Sequence, residues 1–290
     1  MTRIIDRLAD ISGQYDALFC DLWGCLHNGR RAFPDAVAAL QAFRATGGRV
    51  VLLTNSPRPA REVEAQLDGM NVPRDAYDLI VSSGDAAQAA MAAGQFGRRV
   101  YHIGPARDLP FFTAPDGTPY DVERVELAEA EGIICTGLFD DQTETPEDYR
   151  LTIATGVNRG LKLLCANPDI VVDVGEKRIF CAGAIAAAYT EAGGESFYYG
   201  KPHAPIYQLA RQKLAEAGGG VEDDRILCLG DGIATDVRGG VGEGLDTLFV
   251  TGGLAASETG TIAGRPEADL LDQFLSAHSL SPTAAIGFLR

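Results

Sequence analysis

A chain of 290 residues, 46% hydrophobic and 22% charged, has the composition of a globular protein and is long enough for one large domain or two modest ones. Its formal net charge of −15 argues against nucleic acid or an anionic membrane as a partner, since clustered Lys and Arg bind both. The six cysteines form no C-x-x-C pair, which favours buried, reduced thiols in a cytoplasmic protein. The first segment, MTRIIDRLADISGQYD, carries acidic residues, so we expect no signal peptide, and no run approaches the ~20 apolar residues of a membrane span.

Apolar strands and amphipathic helices alternate along the chain. Apolar runs that end in polar or glycine residues predict strands at 17–22, 49–55, 77–83, 225–231 and 246–253. Helical spacing, with Pro near the starts and Gly at the ends, predicts helices at 34–46, 59–69, 85–94 and 205–220. The middle of the chain has an α/β pattern of its own, in segments such as RRVYHIG, GIICTGLFD and LKLLCAN.

This alternation predicts an α/β fold. Continuous apolar strands separated by helices indicate a Rossmann-like parallel sheet with helices on both faces. We interpret residues 98–195 as a second α/β domain, inserted into a core formed by residues 1–97 and 196–290. In such sheets, ligands bind beyond the carboxyl ends of the strands, so the residues at those ends are the candidates for function.

Polar side chains stand at these predicted ends. Asp21 closes the first strand, Thr54 and Asn55 close the second, and Ser82-Ser83 and Gly230-Asp231 close two others. Lys201 precedes a helix, and Asp236 follows Asp231 by five positions. A nucleophilic carboxylate, hard oxygen ligands for Mg²⁺, a hydroxyl and an amide for phosphoryl oxygens, and a lysine for developing charge are together what phosphoryl transfer needs.

These motifs resemble the haloacid dehalogenase-like hydrolase superfamily. In detail they are similar to its class IIA branch, which holds para-nitrophenyl phosphatase, phosphoglycolate phosphatase and nucleotide monophosphatase relatives. LLTNS, GKP and GDGIATDVRGGVGEGL match the second to fourth motifs of that branch, and CANPD and FCAGAIAAAY match its cap domain. The resemblance covers nearly the whole chain. It implies that the inserted domain is a cap of the C2 type.

The resemblance also implies roles for the residues at the strand ends. Asp21 would be the nucleophile that forms an aspartyl-phosphate. Thr54 and Asn55 would bind the transferring phosphoryl group, and Lys201 would pair with Asp21 and with the phosphate.

A magnesium site is implied in the same way. Asp21, the backbone carbonyl of Trp23 and Asp231 would be Mg²⁺ ligands. Asp236 would be either a direct ligand or an outer-shell partner. Without a metal, three carboxylates would crowd one site and raise one another's pKa values.

Trp23 departs from the family pattern, which has an aspartate there as general acid and base. An indole offers only a hydrogen-bond donor, and acid–base help is typically worth ~10²–10⁴ in rate. One interpretation is therefore a phosphatase with weak turnover. A second is a dehalogenase-like hydrolase that attacks carbon, because haloacid dehalogenases carry an aromatic residue here. A third is a phospho-ligand binding protein of low turnover. His27 is a candidate replacement acid, although we expect a solvent-exposed loop histidine.

The cap should select the substrate. Its candidate contacts are Asn167, Asp169, Lys177 and Arg178, in a segment that also contains Asp173 and Glu176. The substrate expected for this branch is a small phosphorylated metabolite resembling a sugar phosphate, and the predicted assembly is a homodimer.

Overall fold

The computed structural model describes residues 2–175 and 177–290. Its strands are β1 (Arg3–Ile4), β2 (Ala17–Cys20), β3 (Arg49–Thr54), β4 (Leu79–Ser82), β5 (Arg99–Ile103), β6 (Glu123–Arg124), β7 (Gly132–Cys135), β8 (Lys162–Cys165), β9 (Val171–Val174), β10 (Lys177–Phe180), β11 (Glu195–Tyr198), β12 (Ile226–Gly230), β13 (Asp246–Val250) and β14 (Ala284–Ile286). The α-helices are α1 (Ala9–Ser12), α2 (Pro34–Ala45), α3 (Ala60–Gly69), α4 (Ser83–Ala92), α5 (Arg150–Asn158), α6 (Ala182–Glu191), α7 (Ala204–Glu216), α8 (Arg238–Gly242) and α9 (Ala268–His278). Short 3₁₀ helices lie at Arg74–Ala76, Ala106–Phe112, Leu127–Glu129, Pro146–Tyr149 and Asp223–Arg225, and a π-helical turn at Ile233–Val237 leads into α8. No helix in the described ranges has the length and hydropathy that a membrane crossing requires.

The larger sheet confirms the predicted parallel α/β fold. It has seven strands in the order β1-β14-β13-β12-β2-β3-β4, and every pair is parallel. The strand β2 lies near the middle, between β12 and β3, so the carboxyl ends of these three neighbours meet at one edge. That edge carries the site described below.

Helices cover both faces of this sheet, and successive residues of β2 show why. Leu18 and Cys20 face a cluster with Leu40 of α2 and Leu67 of α3. Ala17 and Phe19 face the opposite side and pack with residues of α7. Because neighbouring strand residues point to opposite faces, a strand that is apolar throughout is buried on both sides.

A second sheet is formed by five parallel strands in the order β11-β8-β7-β5-β6, and β9 and β10 form a separate antiparallel hairpin. The five-stranded sheet runs from Arg99 to Tyr198, because β11 pairs with β8. It therefore extends three residues past the end at 195 that the sequence predicted. The division into a core and a cap domain itself stays a prediction.

One predicted strand end has a different role. Ser82 caps α4: its side chain accepts from the backbone N–H of Asp85, and the Asp85 side chain accepts from the Ser82 backbone N–H. The helix accordingly begins at Ser83, two residues earlier than predicted. The Ser82 hydroxyl therefore stabilises a helix and is not directed at a ligand.

Candidate active site

The ammonium of Lys201 joins two carboxylates at the carboxyl edge of the large sheet. Its Nζ donates to Asp21 Oδ1 at 2.5 Å and to Asp236 Oδ1 at 2.6 Å. Asp21 directly follows β2, and its backbone N–H donates to Leu229 of β12, which fixes the position of the carboxylate. The three side chains are almost completely buried, with exposures of 7% for Asp21, 2% for Lys201 and 6% for Asp236. The lysine therefore neutralises charge in a place that water barely reaches.

The charges of this cluster depend on one another. Burial raises the pKa of Asp21, and the adjacent Lys201 opposes that shift. Burial alone would lower the pKa of Lys201, but Asp21 and Asp236 outweigh it, so that the pKa of the lysine is raised well above its usual value. Lys201 is thus held protonated and favours the ionised, nucleophilic form of Asp21.

Asp231 follows β12 and lies beside Asp21. Its Oδ2 accepts a hydrogen bond of 2.9 Å from the backbone N–H of Leu254. Burial raises its pKa well above the usual value, and the charges of Asp21 and Asp236 raise it further. Two nearby glycines leave the space it occupies, since a Cβ at Gly24 would lie 2.0 Å from Asp231 Oδ2 and one at Gly253 would lie 1.9 Å away.

These donors fit a divalent cation. Oxygen atoms of Asp21 and Asp231 and the sulfur of Cys25 all lie within 4.8 Å of one another. Two buried, mutually repelling carboxylates suit a hard cation such as Mg²⁺. Burial raises the pKa of the Cys25 thiol well above its usual value, so the sulfur stays neutral and is a poor ligand for such an ion.

The carboxylate of Asp236 makes its hydrogen bonds outside the pair formed by Asp21 and Asp231. Its Oδ1 binds Lys201, and its Oδ2 accepts from the backbone N–H of Gly232 at 3.1 Å and from the Thr235 hydroxyl at 3.3 Å. Both oxygens are therefore occupied by the protein. Of the two roles predicted for Asp236, this arrangement favours the outer-shell partner.

Thr54 and Asn55 are buried where β3 ends, at 1% and 3% exposure. The Asn55 Nδ2 donates to Asp169 Oδ1 at 2.8 Å and to the Lys201 carbonyl at 3.0 Å, while its Oδ1 accepts from the Lys201 backbone N–H at 2.7 Å. The side-chain amide is fully used in joining three segments. Phosphate binding by Asn55 would therefore have to use its main chain. Both Thr54 and Asn55 line the cavity described next.

A cavity of about 200 Å³ lies over these residues. The loops after β2, β3, β12, β13 and β14 form its floor, and the hairpin β9–β10 covers it with Val171, Val172, Asp173 and Gly175. The Gly175 backbone N–H also donates to the Asn28 carbonyl at 3.2 Å, so the hairpin touches the loop that carries Trp23. We call this the active-site cavity.

Comparisons with known proteins agree with this geometry. A haloacid dehalogenase-like hydrolase family model matches residues 18–114, and a related HAD-hydrolase-like model matches residues 198–284. A crystal structure of a haloacid dehalogenase-like family hydrolase from Brucella suis 1330 is 43% identical, with a TM-score of 0.86, and covers 99% of this chain and 100% of that one. The chain belongs to the haloacid dehalogenase-like hydrolase family. It is a hydrolase, and the predicted resemblance is confirmed.

More distant members of the family carry more specific names. The 5'-nucleotidase YutF of Bacillus subtilis is 24% identical over 249 residues, which is 84% of this chain and 90% of that protein. A glycerol phosphate phosphatase from Mycobacterium tuberculosis, solved in complex with magnesium, is 23% identical with a TM-score of 0.65, over 91% of this chain and 74% of that one. At this identity, the similarity to the magnesium-bound phosphatase structure shows that the two proteins share the fold.

Two of the predicted substrate contacts lie outside the cavities. Arg178 forms a bidentate pair with Asp173, at 2.8 and 2.9 Å, because the two residues are directly opposite in the hairpin. Lys177 donates to the Gln142 carbonyl at 2.6 Å. Neither residue borders the active-site cavity or its neighbour, and their contact with substrate stays a prediction. Glu176 lies outside the described residues.

The other two predicted contacts do border cavities. Asp169 lines the active-site cavity and also a second cavity of about 280 Å³ beside it, whereas Asn167 lines only the second. The second cavity shares Trp23 with the first and is also lined by Arg58 and Arg107. Neither arginine is predicted as a site residue from the sequence, because no motif marks them and only the fold brings them together.

Trp23 forms a wall between the two cavities. The half-buried indole packs edge-on against His27, with ring centroids 5.1 Å apart, and lies over Gly29, where a Cβ would be 2.4 Å from the indole carbons. His27 is 1% exposed, so the prediction of a solvent-exposed histidine is wrong. Its Nδ1 accepts from the Gly29 backbone N–H at 3.1 Å, and burial lowers its pKa to about 4. His27 is thus neutral and does not line the active-site cavity.

Proposed function

We propose that the protein is a Mg²⁺-dependent phosphatase that hydrolyses a small phosphorylated metabolite, such as a sugar phosphate, through an aspartyl-phosphate on Asp21. The observation that carries the proposal is the buried bridge from Lys201 to Asp21 and Asp236 beside the carboxylate of Asp231. It provides a nucleophile, a fixed positive charge and a place for a cation within one cavity.

The chain's own residues supply the steps of phosphoryl transfer. The Asp21 carboxylate attacks phosphorus, and Lys201, which is held protonated, offsets the negative charge that develops on the phosphoryl oxygens. The Thr54 hydroxyl, at the end of β3, binds one of these oxygens. A water molecule then attacks the phosphorus of the aspartyl-phosphate and releases inorganic phosphate.

The proposed cation would be held by Asp21, the Trp23 carbonyl and Asp231. Bound there, Mg²⁺ would neutralise charge on the phosphate and on the two carboxylates. Asp231 is oriented for this by the Leu254 N–H, and Asp236 keeps Lys201 in place from outside the metal shell.

Residues 98–195 are proposed to be the cap that selects the substrate, within a cytoplasmic enzyme. Support comes from the hairpin β9–β10, which covers the active-site cavity, and from Asp169, which borders both cavities. The phosphoryl group would lie in the active-site cavity and the rest of the substrate would extend past Trp23 into the second cavity. All six cysteines are buried and free, in keeping with a reducing compartment.

The two alternatives make different demands on the site. A dehalogenase-like attack on carbon needs no metal, and nothing in that chemistry calls for the buried Asp231 beside Asp21. A binding protein would use the same phosphate and metal groups without turnover. Trp23 gives no proton to a leaving group, so turnover is weak unless another group carries that proton.

A substrate panel tests the proposal. Aryl and alkyl phosphate esters and 2-haloacids are offered to the purified enzyme with Mg²⁺ and with a chelator, and Asp21→Asn is the matched control. We expect phosphate release that requires Mg²⁺ and is abolished in Asp21→Asn. Halide release insensitive to the chelator would support the dehalogenase alternative, and ligand binding without phosphate release would support the binding protein.

A further inference from the structure

The proposed phosphatase needs a proton donor that Trp23 cannot be. Six titratable side chains line the active-site cavity within the described residues, namely Asp21, Asp169, Asp173, Lys201, Asp231 and Asp236. The buried His27, considered above, is not among them. The proton carrier is therefore expected to be one of these six side chains, an inference that rests on the proposed function.

Five of these six side chains already have another partner or another role. Lys201 donates to both Asp21 and Asp236, and Asp231 belongs to the candidate cation site. Asp173 is held in its bidentate pair with Arg178, which keeps the pKa of that carboxylate low. A carboxylate paired in this way is a poor acid near neutral pH.

Asp169 has one oxygen left. It lies in the loop between β8 and β9, and its backbone N–H donates to Asn167 Oδ1 at 3.0 Å. Its Oδ1 accepts from Asn55 Nδ2 at 2.8 Å, which fixes the carboxyl group over the end of β3. Across the described ranges, no protein group is found to hydrogen-bond to Oδ2. Asp169 lines the cavity that also holds Asp21 and Lys201.

We propose that Asp169 is the catalytic acid and base of this enzyme, in the place that Trp23 leaves vacant. The protonated Asp169 gives its proton to the leaving-group oxygen as the bond between that oxygen and phosphorus breaks and the bond from Asp21 to phosphorus forms. The resulting carboxylate then takes a proton from the water that attacks the phosphorus of the aspartyl-phosphate. The Asp21–phosphorus bond breaks, phosphate departs, and Asp169 is again protonated.

The surroundings of Asp169 suit both halves of this cycle. Burial raises its pKa to about 6, Lys201 and the Asn55 amide oppose the rise, and Asp236 adds to it. Asp21, Cys165 and Cys181 also face it, and both thiols are neutral because burial raises their pKa values well above the usual range. A carboxyl group that titrates near neutral pH can both donate and accept a proton.

The test compares leaving groups in wild type and Asp169→Asn, both loaded with Mg²⁺. The substituted amide keeps an oxygen for the Asn55 bond but cannot carry a proton. With glycerol phosphate, whose alkoxide needs a proton, we expect turnover to fall about 10²–10⁴-fold. With 4-nitrophenyl phosphate, whose leaving group departs unaided, we expect a burst of nitrophenolate followed by slow release of phosphate. Mass spectrometry of the acid-quenched variant should then show phosphate on Asp21.

Asp173→Asn is the matched control, since it removes another cap carboxylate that lines the same cavity. We expect it to keep the wild-type ratio of alkyl to aryl turnover. Equal losses in the rate of the first turnover on both substrates in Asp169→Asn, or no loss on either, would overturn the proposal while leaving the phosphatase intact. If Asp169→Asn does not fold, the wild type still decides: a shallow dependence of rate on leaving-group pKa supports an internal acid, and a steep one overturns it. A wild type inactive on every phosphate ester would refute the proposed function itself.

Discussion

The Asn55 amide donates to the Asp169 carboxylate across the two large sheets, with 2.8 Å between Nδ2 and Oδ1. Asn55 directly follows β3 of the seven-stranded sheet, and Asp169 lies in the loop after β8 of the five-stranded sheet. The same amide is bonded in both directions to the backbone of Lys201. One side chain thus couples the loop after β3, the loop that carries Lys201 and the proposed cap.

Asn55→Ala should loosen this junction. The change removes three hydrogen bonds and leaves the Lys201 backbone unpaired in a buried place, so we expect the free energy of unfolding to fall by about 2–4 kcal/mol, at about 1 kcal/mol for each bond. Amide hydrogen exchange in residues 166–175 should become faster, because the cap loop loses its attachment to β3. Chemical denaturation and exchange followed by mass spectrometry measure the two effects.

Gln88→Ala is the control for that experiment. Gln88 is also a buried amide, and it donates to the carbonyl of Phe111 at 2.8 Å, far in sequence from the site. The Gln88→Ala substitution should lower the free energy of unfolding by a comparable amount. It should leave amide hydrogen exchange in residues 166–175 as in wild type. Faster exchange there in both variants would mean that general destabilisation, and not the Asn55 bond, controls the loop.

Asp231→Asn should separate metal binding from folding. Burial together with the charges of Asp21 and Asp236 disfavours the ionised Asp231, so a neutral amide removes a repulsion when no metal is bound. We expect the metal-free variant to melt at a higher temperature than metal-free wild type, and to lose the stabilisation that Mg²⁺ gives to wild type. Thermal unfolding with and without Mg²⁺ measures both effects.

Asp236→Asn should behave differently, because Asp236 binds Lys201 and not the candidate cation site. Leaving a buried lysine with one carboxylate in place of two should lower the melting temperature in the absence of metal. If the two variants shift the melting temperature in the same direction, the assignment of Asp231 to the metal and Asp236 to the lysine is wrong.

The sequence predicted the positions of the reactive side chains better than it predicted the packing around them. The positions of Asp21, Thr54 and Asp231 follow from apolar strands that end in polar residues, because the fold brings such ends to one edge. The burial of His27 and the outward pairing of Arg178 with Asp173 depend on how a loop and a hairpin pack. Strand and helix periodicity carries no information about such packing.

His27 should make stability depend on pH. Its pKa is lowered by burial from 6.5 to about 4, so between these values the unfolded chain binds more protons than the folded one. Stability is therefore full above pH 6.5 and falls as the pH drops towards 4, by up to roughly 3 kcal/mol at 1.36 kcal/mol per pKa unit. His27→Asn keeps an acceptor for the Gly29 N–H and should flatten this slope in urea titrations.

His102 offers an internal comparison, since burial lowers its pKa to about 4 as well. His102→Asn should flatten the same pH window, and the double variant should flatten it further. A His27→Asn protein with the wild-type slope would show that the imidazole charges without cost in the folded state.

The final prediction concerns Trp23. If the missing acid explains the role of Asp169, an aspartate at position 23 should be able to do the same work, because Trp23 lines the same cavity. In an Asp169→Asn background, Trp23→Asp should raise glycerol phosphate turnover by up to about 10²-fold, the low end of the acid–base range. Trp23→Asn opens the same space without an ionisable group and should give no such gain. Equal recovery in both double variants would show that the indole limits access to the cavity, and that its lack of a proton is not what matters.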